Sequence, residues 1–168
     1  MMGSGYNRMF PVSWDELHRH CKAMAWRLAE RAPFAGLIAI TRGGLVPAAI
    51  VARELNMRLI DTVCCSTYEK TRRGGKVELL KGTMAAQDKG EDWLIVDDLV
   101  DTGITAERVR DMMPRAHFAT IYAKPAGKPM VDTFITEVSQ DTWILFPWDQ
   151  EAVMSTPIVE LKANDRRR

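Results

Sequence analysis

The sequence has 168 residues, of which 46% are hydrophobic, and its formal net charge is +1. That length suits one globular domain with a buried core, and the near-neutral charge excludes a bulk attraction to nucleic acid. No apolar run approaches the length of a transmembrane helix, and the N-terminus lacks the apolar segment of a signal peptide. The three cysteines show no C-x-x-C spacing, which argues against a zinc or redox motif. We therefore expect one cytoplasmic domain over residues 1–168, without nucleic acid as a partner.

The first regular element that the sequence predicts is a helix. Residues 1–10 mix glycine with polar side chains, and we expect their start to be mobile. Ser13 followed by Glu16 forms a capping box, which is typical of a helix N-terminus. Apolar residues at helical spacing continue as far as Ala29, and Pro33 follows. The pattern predicts an amphipathic helix with one buried face.

A glycine-containing turn separates the next strand from the next helix. Residues 37–40 are apolar, Arg42, Gly43 and Gly44 follow, and a helical pattern covers residues 45–55. Arg42 can bind a phosphate through two hydrogen bonds, and the glycines allow the backbone to approach closely. The lysine of a Walker A loop is missing, and no G-x-G-x-x-G occurs. Taken alone, the pattern fits either a phosphate loop or an ordinary tight turn.

A basic loop follows the third predicted strand. Residues 62–68 predict the strand, and residues 69–75 combine glycines with several cations, among them Arg72 and Arg73. Apolar residues return between Val77 and Leu80. By itself this pattern fits the solvated tip of a hairpin.

The residues best suited to chemistry lie between positions 93 and 105. Residues 93–96 are apolar and mostly β-branched or large, which predicts a buried strand of a parallel sheet. A polar loop follows and leads into a helical pattern; its residues include Asp97, Asp98, Asp101, Thr102, Gly103 and Thr105. Loops at the carboxyl ends of such strands bind ligands, and the unpaired N–H groups of a helix start suit a phosphate.

The carboxylates of this loop would repel a phosphate, so they must serve another part of the ligand. Carboxylates accept hydrogen bonds from ribose hydroxyls, hold Mg²⁺, and stabilise positive charge that develops on a sugar ring. The stretch therefore predicts binding of a ribose 5-phosphate whose ring becomes cationic.

The last third of the chain adds a lysine, several aromatic residues and a basic end. Residues 118–123 predict another buried strand, which ends in Lys124, and that lysine could simply extend to solvent. Among the aromatic residues that follow, composition alone favours Trp143 as a core residue. Residues 164–168 end in three arginines, for which we expect a solvated tail with at most weak contact to an anionic membrane.

The run from Val96 to Thr105 resembles the motif with which type I phosphoribosyltransferases bind 5-phosphoribosyl 1-diphosphate (PRPP). The likeness extends from about Trp14 to Val153. Near its end, Asp141, Thr142, Trp143 and Ile144, and then Pro147, Trp148 and Asp149, match the bacterial members that act on xanthine and guanine. The resemblance implies an α/β fold whose central, mostly parallel sheet is flanked by helices.

The resemblance also implies a division of the chain and two adjoining binding sites. A core covers about residues 12–125, a hood over the base covers about residues 126–160, and a mobile tail covers residues 161–168. The implied PRPP-binding residues are Arg42, Gly43, Arg73, Asp97, Asp98, Leu99, Val100, Asp101, Thr102, Gly103, Ile104 and Thr105. The implied purine-binding residues are Asp101, Lys124, Trp143 and Ile144.

The roles on the purine side follow from the same resemblance. Asp101 is the catalytic residue, because it accepts a hydrogen bond or proton at N7 of the base and so eases attack by N9. Lys124 donates to the 6-oxo group, which discriminates against adenine. Trp143 stacks on the base, and the backbone of Ile144 binds the 2-substituent.

The roles on the diphosphate side are implied in the same way. Asp98 is the metal ligand for Mg²⁺, and Asp97 engages the ribose hydroxyls. The loop of residues 41–44 contacts the diphosphate and in this family often carries a non-proline cis peptide. Residues 69–75 correspond to a flap that closes over the diphosphate and supplies an arginine, Arg72 or Arg73.

The activity implied is that of a purine salvage enzyme, which transfers the 5-phosphoribosyl group of PRPP to N9 of guanine, xanthine and, more weakly, hypoxanthine. The products are GMP, XMP or IMP together with diphosphate. Leu145 and Phe146 stand where the family commonly has polar residues, so the order of preference among the bases is not predicted. Ile104 is a milder departure, since close relatives have glycine there.

Two alternatives stay open. The first is a phosphoribosyltransferase for hypoxanthine or orotate, although Lys124 and Trp143 argue against a pyrimidine. The second is a regulator of the same fold that senses PRPP or a nucleotide, which would need a basic surface or an added DNA-binding domain. Because the family forms dimers or tetramers, we expect a homotetramer or homodimer.

Overall fold

The structure, a computed structural model, describes residues 6–68 and 76–149. The chain divides into two compact units: a larger one over residues 15–140 and a smaller one that combines residues 1–14 with residues 141–168. The predicted hood of residues 126–160 stays a prediction, and the predicted tail lies outside the described residues. Within those residues, no helix is long and apolar enough to cross a membrane.

The larger unit is built on a six-stranded sheet within the described residues. Its strands are β2 (Gly36–Thr41), β3 (Ile60–Tyr68), β4 (Lys76–Lys81), β5 (Trp93–Val100), β6 (His117–Ala123) and β7 (Thr133–Glu137). Their spatial order is β4-β3-β2-β5-β6-β7, and every neighbouring pair is parallel except β3 with β4. The predicted fold class, a mostly parallel sheet with helices, is confirmed.

Three helices accompany this sheet in the described chain: α1 (Trp14–Ala29), α2 (Leu45–Glu54) and α3 (Ile104–Met112). The predicted amphipathic helix is α1, which buries the apolar stripe from Leu17 to Leu28. Short 3₁₀ turns occur at Met84–Asp88 and Lys128–Met130. The core forms where buried residues of the sheet, such as Ile95 and Phe118, pack with Val109 of α3, since each strand and helix must bury its apolar face.

The order of the strands determines where a ligand can bind. β2 pairs with β3 on one side and with β5 on the other, and α2 connects β2 to β3 while α3 connects β5 to β6. The direction in which the sheet grows therefore reverses at β2. In open α/β sheets, ligands bind at the carboxyl ends of the two strands that flank such a reversal. Here those ends lead into Arg42 and Asp101.

The strand β5 is longer than the sequence predicts. The apolar run ends at Val96, yet the strand continues through Asp97 and Asp98 to Val100. The prediction of a loop that begins at Asp97 is therefore wrong. The cause is a tertiary contact, because β6 continues to pair with β5 as far as Val100, opposite Ala123. A neighbouring strand supplies ladder hydrogen bonds that override weak local strand propensity.

The smaller unit contains a two-stranded parallel sheet. Strand β1 (Arg8–Pro11) pairs with β8 (Thr142–Leu145), from Arg8 opposite Thr142 to Pro11 opposite Leu145. Aromatic rings pack around it: Tyr6 meets Trp143 edge-on at 5.1 Å between ring centroids. Phe146 stacks on Trp148, which belongs to a 3₁₀ turn at Pro147–Asp149. Strand β1 was not predicted, because its four residues show neither alternation nor an apolar run.

Candidate functional site

The turn from β5 into α3 forms a backbone cradle. Gly103 is the N-cap of α3 with φ of +88°, a left-handed conformation that favours glycine. A Cβ atom there would also lie 3.1 Å from Cγ of Met130. No side chain caps the start of α3, so the N–H groups of its first turn have no side-chain acceptor at the cap. Together with the positive end of the helix dipole, this arrangement suits a phosphate.

The loop that follows β2 lies against β5. A Cβ atom on Gly43 would lie 2.3 Å from Oδ2 of Asp98, and one on Gly44 would lie 2.5 Å from the carbonyl oxygen of Val96. The peptide bond between Thr41 and Arg42 is cis, as the family resemblance implies for this loop. Arg42 is exposed and makes no ion pair with a described residue. An anion placed over this loop would meet backbone and a guanidinium together.

Asp97 and Asp98 form an acidic pair at the end of β5. Burial, followed by the negative charge of Asp98, raises the pKa of Asp97 well above its ordinary value. The backbone N–H of Asp98 donates to Oδ1 of Asp97 at 2.9 Å and partly offsets that effect. Two adjacent carboxylates of this kind favour a bound cation or a group that donates hydrogen bonds.

The donor set fits Mg²⁺ held jointly with a substrate. Among the described residues, no group of three or more histidine, cysteine, aspartate or glutamate side chains is placed to hold a metal. Mg²⁺ commonly binds proteins through only one or two carboxylates and takes its other ligands from water and substrate phosphates. Asp98, next to the open backbone of Gly43, offers one such carboxylate.

An ion pair with a buried lysine joins the ends of β5 and β6. Lys124 is only 1% exposed, and its Nζ donates to Oδ2 of Asp101 at 2.9 Å. The backbone N–H of Lys124 also donates to the carbonyl oxygen of Val100 at 2.9 Å. A buried ammonium group is costly unless it is paired, so Asp101 stabilises Lys124 where it stands. The pair places a cationic donor beside an anionic acceptor.

Two residues near this ion pair were not predicted. Gly127 packs against the end of β5, because a Cβ atom there would lie 2.6 Å from Cγ2 of Val100. Gln140 donates from Nε2 to Oδ1 of Asp101 at 2.7 Å, and its Oε1 accepts from the N–H of Ala126 at 3.0 Å. Neither residue belongs to a recognisable pattern, so only the fold brings them to the site.

A family model of the phosphoribosyl transferase domain matches residues 13–153 of this sequence. The chain belongs to the phosphoribosyl transferase family. The match covers the whole larger unit, residues 15–140. The cradle, the acidic pair and the lysine all lie within that unit.

Curated relatives in this phosphoribosyl transferase family are similar over almost their whole length. The xanthine-guanine phosphoribosyltransferase of Desulfotalea psychrophila is 58% identical over 158 residues, which cover 94% of this chain and 97% of that protein. The protein of the same description from Nitratidesulfovibrio vulgaris (strain DP4) is 58% identical over 154 residues, or 92% of this chain and 93% of that protein.

Solved structures of phosphoribosyl transferases share the fold. The crystal structure of a purine phosphoribosyltransferase from Pyrococcus horikoshii has a TM-score of 0.74 at 26% identity and covers 88% of this chain and 99% of that one. The Helicobacter pylori xanthine-guanine-hypoxanthine phosphoribosyltransferase has a TM-score of 0.69 at 20% identity, over 93% of this chain and 99% of that one.

The fold brings most of the predicted phosphoribosyl transferase site together. At the carboxyl ends of β2, β5 and β6 lie Arg42, Gly43, Asp97, Asp98, Leu99, Val100, Asp101, Thr102, Gly103, Ile104, Thr105 and Lys124. Arg73 lies outside the described residues. Trp143 and Ile144 lie on β8 of the smaller unit, where Trp143 is 45% exposed and Ile144 is buried. Their part in base binding stays a prediction.

Proposed function

We propose that the protein transfers the 5-phosphoribosyl group of PRPP to N9 of guanine, xanthine and, more weakly, hypoxanthine. The products are GMP, XMP or IMP and diphosphate, as expected of a purine salvage enzyme. The observation that carries the proposal is the buried Lys124, whose Nζ lies 2.9 Å from Oδ2 of Asp101 beside the phosphate cradle. The similarity to xanthine-guanine phosphoribosyltransferases, at 58% identity, supports the choice of bases.

On the PRPP side, the backbone holds the anionic ends of the substrate. The N–H groups of residues 102–105 bind the 5-phosphate, while Arg42 and the backbone of Gly43 bind the diphosphate. Asp97 and Asp98 accept hydrogen bonds from the ribose hydroxyls. As the bond from C1 to the diphosphate oxygen breaks, the oxygen keeps the electron pair, and these carboxylates face the positive charge that develops on the ring.

The residues present also fit a bound Mg²⁺, which Asp98 would hold together with the substrate oxygens. When bound, this ion neutralises charge on the departing diphosphate. Arg42 neutralises part of the same charge from the protein side, and its exposed guanidinium can do so without breaking an ion pair with a described residue.

On the base side, Lys124 and Asp101 orient the purine for attack. Lys124 donates to the 6-oxo group, whereas the 6-amino group of adenine cannot accept that hydrogen bond. Asp101 accepts the hydrogen bond or proton at N7, so that N9 can form the new bond to C1 of the ribose. Trp143 stacks on the base and the backbone of Ile144 binds its 2-substituent, as the family resemblance implies.

Several wider properties belong to the same proposal. We expect a homotetramer or homodimer in the cytoplasm, with PRPP and a 6-oxopurine as its substrates. The three cysteines, Cys21, Cys64 and Cys65, are free, which agrees with a reducing compartment.

The test is an assay of the purified protein with PRPP and Mg²⁺, to which guanine, xanthine, hypoxanthine, adenine and orotate are added separately. We expect nucleotide formation from the three 6-oxopurines and none from adenine or orotate. The variant Asp101→Asn should lose at least about 100-fold in kcat, the usual contribution of a general base. PRPP binding without turnover of any base would favour the regulator instead, and turnover of hypoxanthine alone would favour the hypoxanthine enzyme.

A further inference from the structure

The side chain of Gln140 links two parts of the site that the proposed chemistry treats separately. Its Nε2 donates to Oδ1 of Asp101 at 2.7 Å, and its Oε1 accepts from the N–H of Ala126 at 3.0 Å. Ala126 belongs to the loop that follows β6 and also carries Lys124. One amide group therefore connects the carboxylate at the end of β5 to the loop that supplies the lysine.

Given the proposed function, on which this inference rests, we infer that Gln140 is a positioning residue that holds the carboxylate of Asp101 in its working orientation. Oδ1 accepts from Gln140 while Oδ2 accepts from Lys124. A donor on each oxygen fixes the plane of the carboxylate, since rotation about its terminal bond would weaken both hydrogen bonds.

Lys124 alone cannot fix the plane of the Asp101 carboxylate during the reaction. Its ammonium group holds only Oδ2 of Asp101 and must also donate to the 6-oxo group of the base, so the position of this group depends on two partners. In the proposed chemistry, the Nε2 group of Gln140 donates to Asp101 alone. Its own amide orientation is set by Ala126, because only Oε1 can accept from a backbone N–H, which leaves Nε2 to face Asp101.

Two variants separate the donor from the rest of the side chain. Gln140→Glu keeps an acceptor for the N–H of Ala126 but places a carboxylate opposite Asp101. Gln140→Met keeps the length and removes both donor and acceptor. For each variant, kcat and KM for PRPP and guanine are measured from about pH 6 to about pH 9, with thermal unfolding as a check on folding.

Near pH 8, both variants should lose about 10- to 100-fold in kcat, the effect expected when one hydrogen bond to a charged group is lost, while KM for PRPP stays unchanged. The deficit of Gln140→Glu should shrink as the pH falls. The introduced glutamate and Asp101 repel each other, which raises the pKa at which the pair binds a proton. A protonated glutamate can then donate a hydrogen bond to Asp101, as Gln140 does. The deficit of Gln140→Met should not change with pH.

The matched control is Glu137→Gln, because Glu137 lies three residues earlier, is exposed and pairs only with the surface residue Lys128 among the interactions described for it. It should behave as the wild type. Wild-type kcat in both Gln140 variants, or a Gln140→Glu deficit that is equal at every pH, would overturn the inference while leaving the proposed function intact. A wild-type protein that turns over no base would overturn both.

Discussion

The backbone of Gly43 lies directly against the carboxylate of Asp98, so closely that a Cβ atom on Gly43 would stand 2.3 Å from Oδ2. The two residues belong to loops and strands that are distant in sequence but adjacent in the sheet, because β2 pairs with β5. In the proposed reaction, the first residue binds the diphosphate and the second binds Mg²⁺. Their contact means that the positions of the diphosphate loop and of the metal ligand depend on each other.

Replacing Gly43 with alanine should therefore weaken PRPP binding. The added methyl group must displace either the loop or the Asp98 carboxylate, since real Cβ atoms do not approach so closely. We expect KM for PRPP to rise at least about 10-fold, the scale of one lost charged contact, with little change in KM for guanine. The matched control is Gly82→Ala, whose Cβ atom would meet only Cδ2 of Leu79 at an ordinary 3.9 Å. Equal PRPP kinetics in the two variants would contradict the prediction.

Asp98 itself should set the requirement for Mg²⁺. The variant Asp98→Asn keeps the shape of the side chain but removes a charge from a site with few other protein ligands, so more Mg²⁺ should be needed. We expect the Mg²⁺ concentration for half-maximal PRPP binding, measured by calorimetry, to rise about 10-fold or more. Asp111→Asn, a change of the same kind at an exposed position of α3, should leave it unaltered. If Asp98→Asn binds PRPP at the wild-type Mg²⁺ concentration, the metal ligand has been misassigned.

A separate prediction concerns Lys124, which pairs with Asp101 and is proposed to select 6-oxopurines. Lys124→Met preserves an unbranched side chain in a buried position but removes the donor to the 6-oxo group. We expect kcat/KM for guanine to fall about 100-fold or more, whereas KM for PRPP should stay within about twofold. The exposed Lys128 provides the control as Lys128→Met, which removes an ion pair with Glu137 and a cation–π contact with Phe134 and should keep wild-type activity. Unchanged guanine turnover in Lys124→Met would refute the role of the lysine.

Much of this arrangement could be predicted because it is local in sequence. A strand, a ligand loop and a helix are predicted within a few residues of one another. The prediction rests on the apolar run before Asp97 and on the glycine and threonines near the start of α3. The end of β5 could not be predicted in this way. Its last four residues are strand because β6 lies beside them, and a single sequence contains no sign of which segment will be a neighbour.

Contacts that join distant residues were missed for the same reason. Gln140 and Asp101 are 39 positions apart, and the amide of Gln140 matters only because the loop after β6 brings Ala126 within reach. Gly127 looks like any turn glycine until Val100 is seen beside it. Site residues that form a motif with their sequence neighbours, such as adjacent aspartates, can be predicted from the sequence. A single glutamine or glycine outside any motif cannot.

A last prediction concerns the hairpin of β3 and β4, whose loop is the proposed flap. Asp61 at the start of β3 accepts hydrogen bonds from Lys81, Thr83 and the N–H of Met84, as well as from the N–H of Thr62. Burial by itself raises the pKa of Asp61, but these hydrogen bonds outweigh it and lower the pKa well below its ordinary value. The ionised carboxylate therefore ties the end of β4 to the start of β3.

Asp61→Asn should destabilise the protein at neutral pH, because the amide makes weaker hydrogen bonds than the carboxylate and cannot pair with Lys81. We expect a loss of about 1–2 kcal/mol in the free energy of unfolding near pH 7, measured by urea titration. A carboxyl group with a lowered pKa in the folded state stabilises the protein above its ordinary pKa of 3.8, and this stabilisation is lost as the pH falls further. The difference between variant and wild type should therefore be constant from about pH 7 to about pH 5 and should shrink below about pH 4. Asp88→Asn, at an exposed position of the following 3₁₀ turn, should show no difference at any pH. A deficit for Asp61→Asn that persisted undiminished into acid would mean that the side chain acts through its shape and not through its charge.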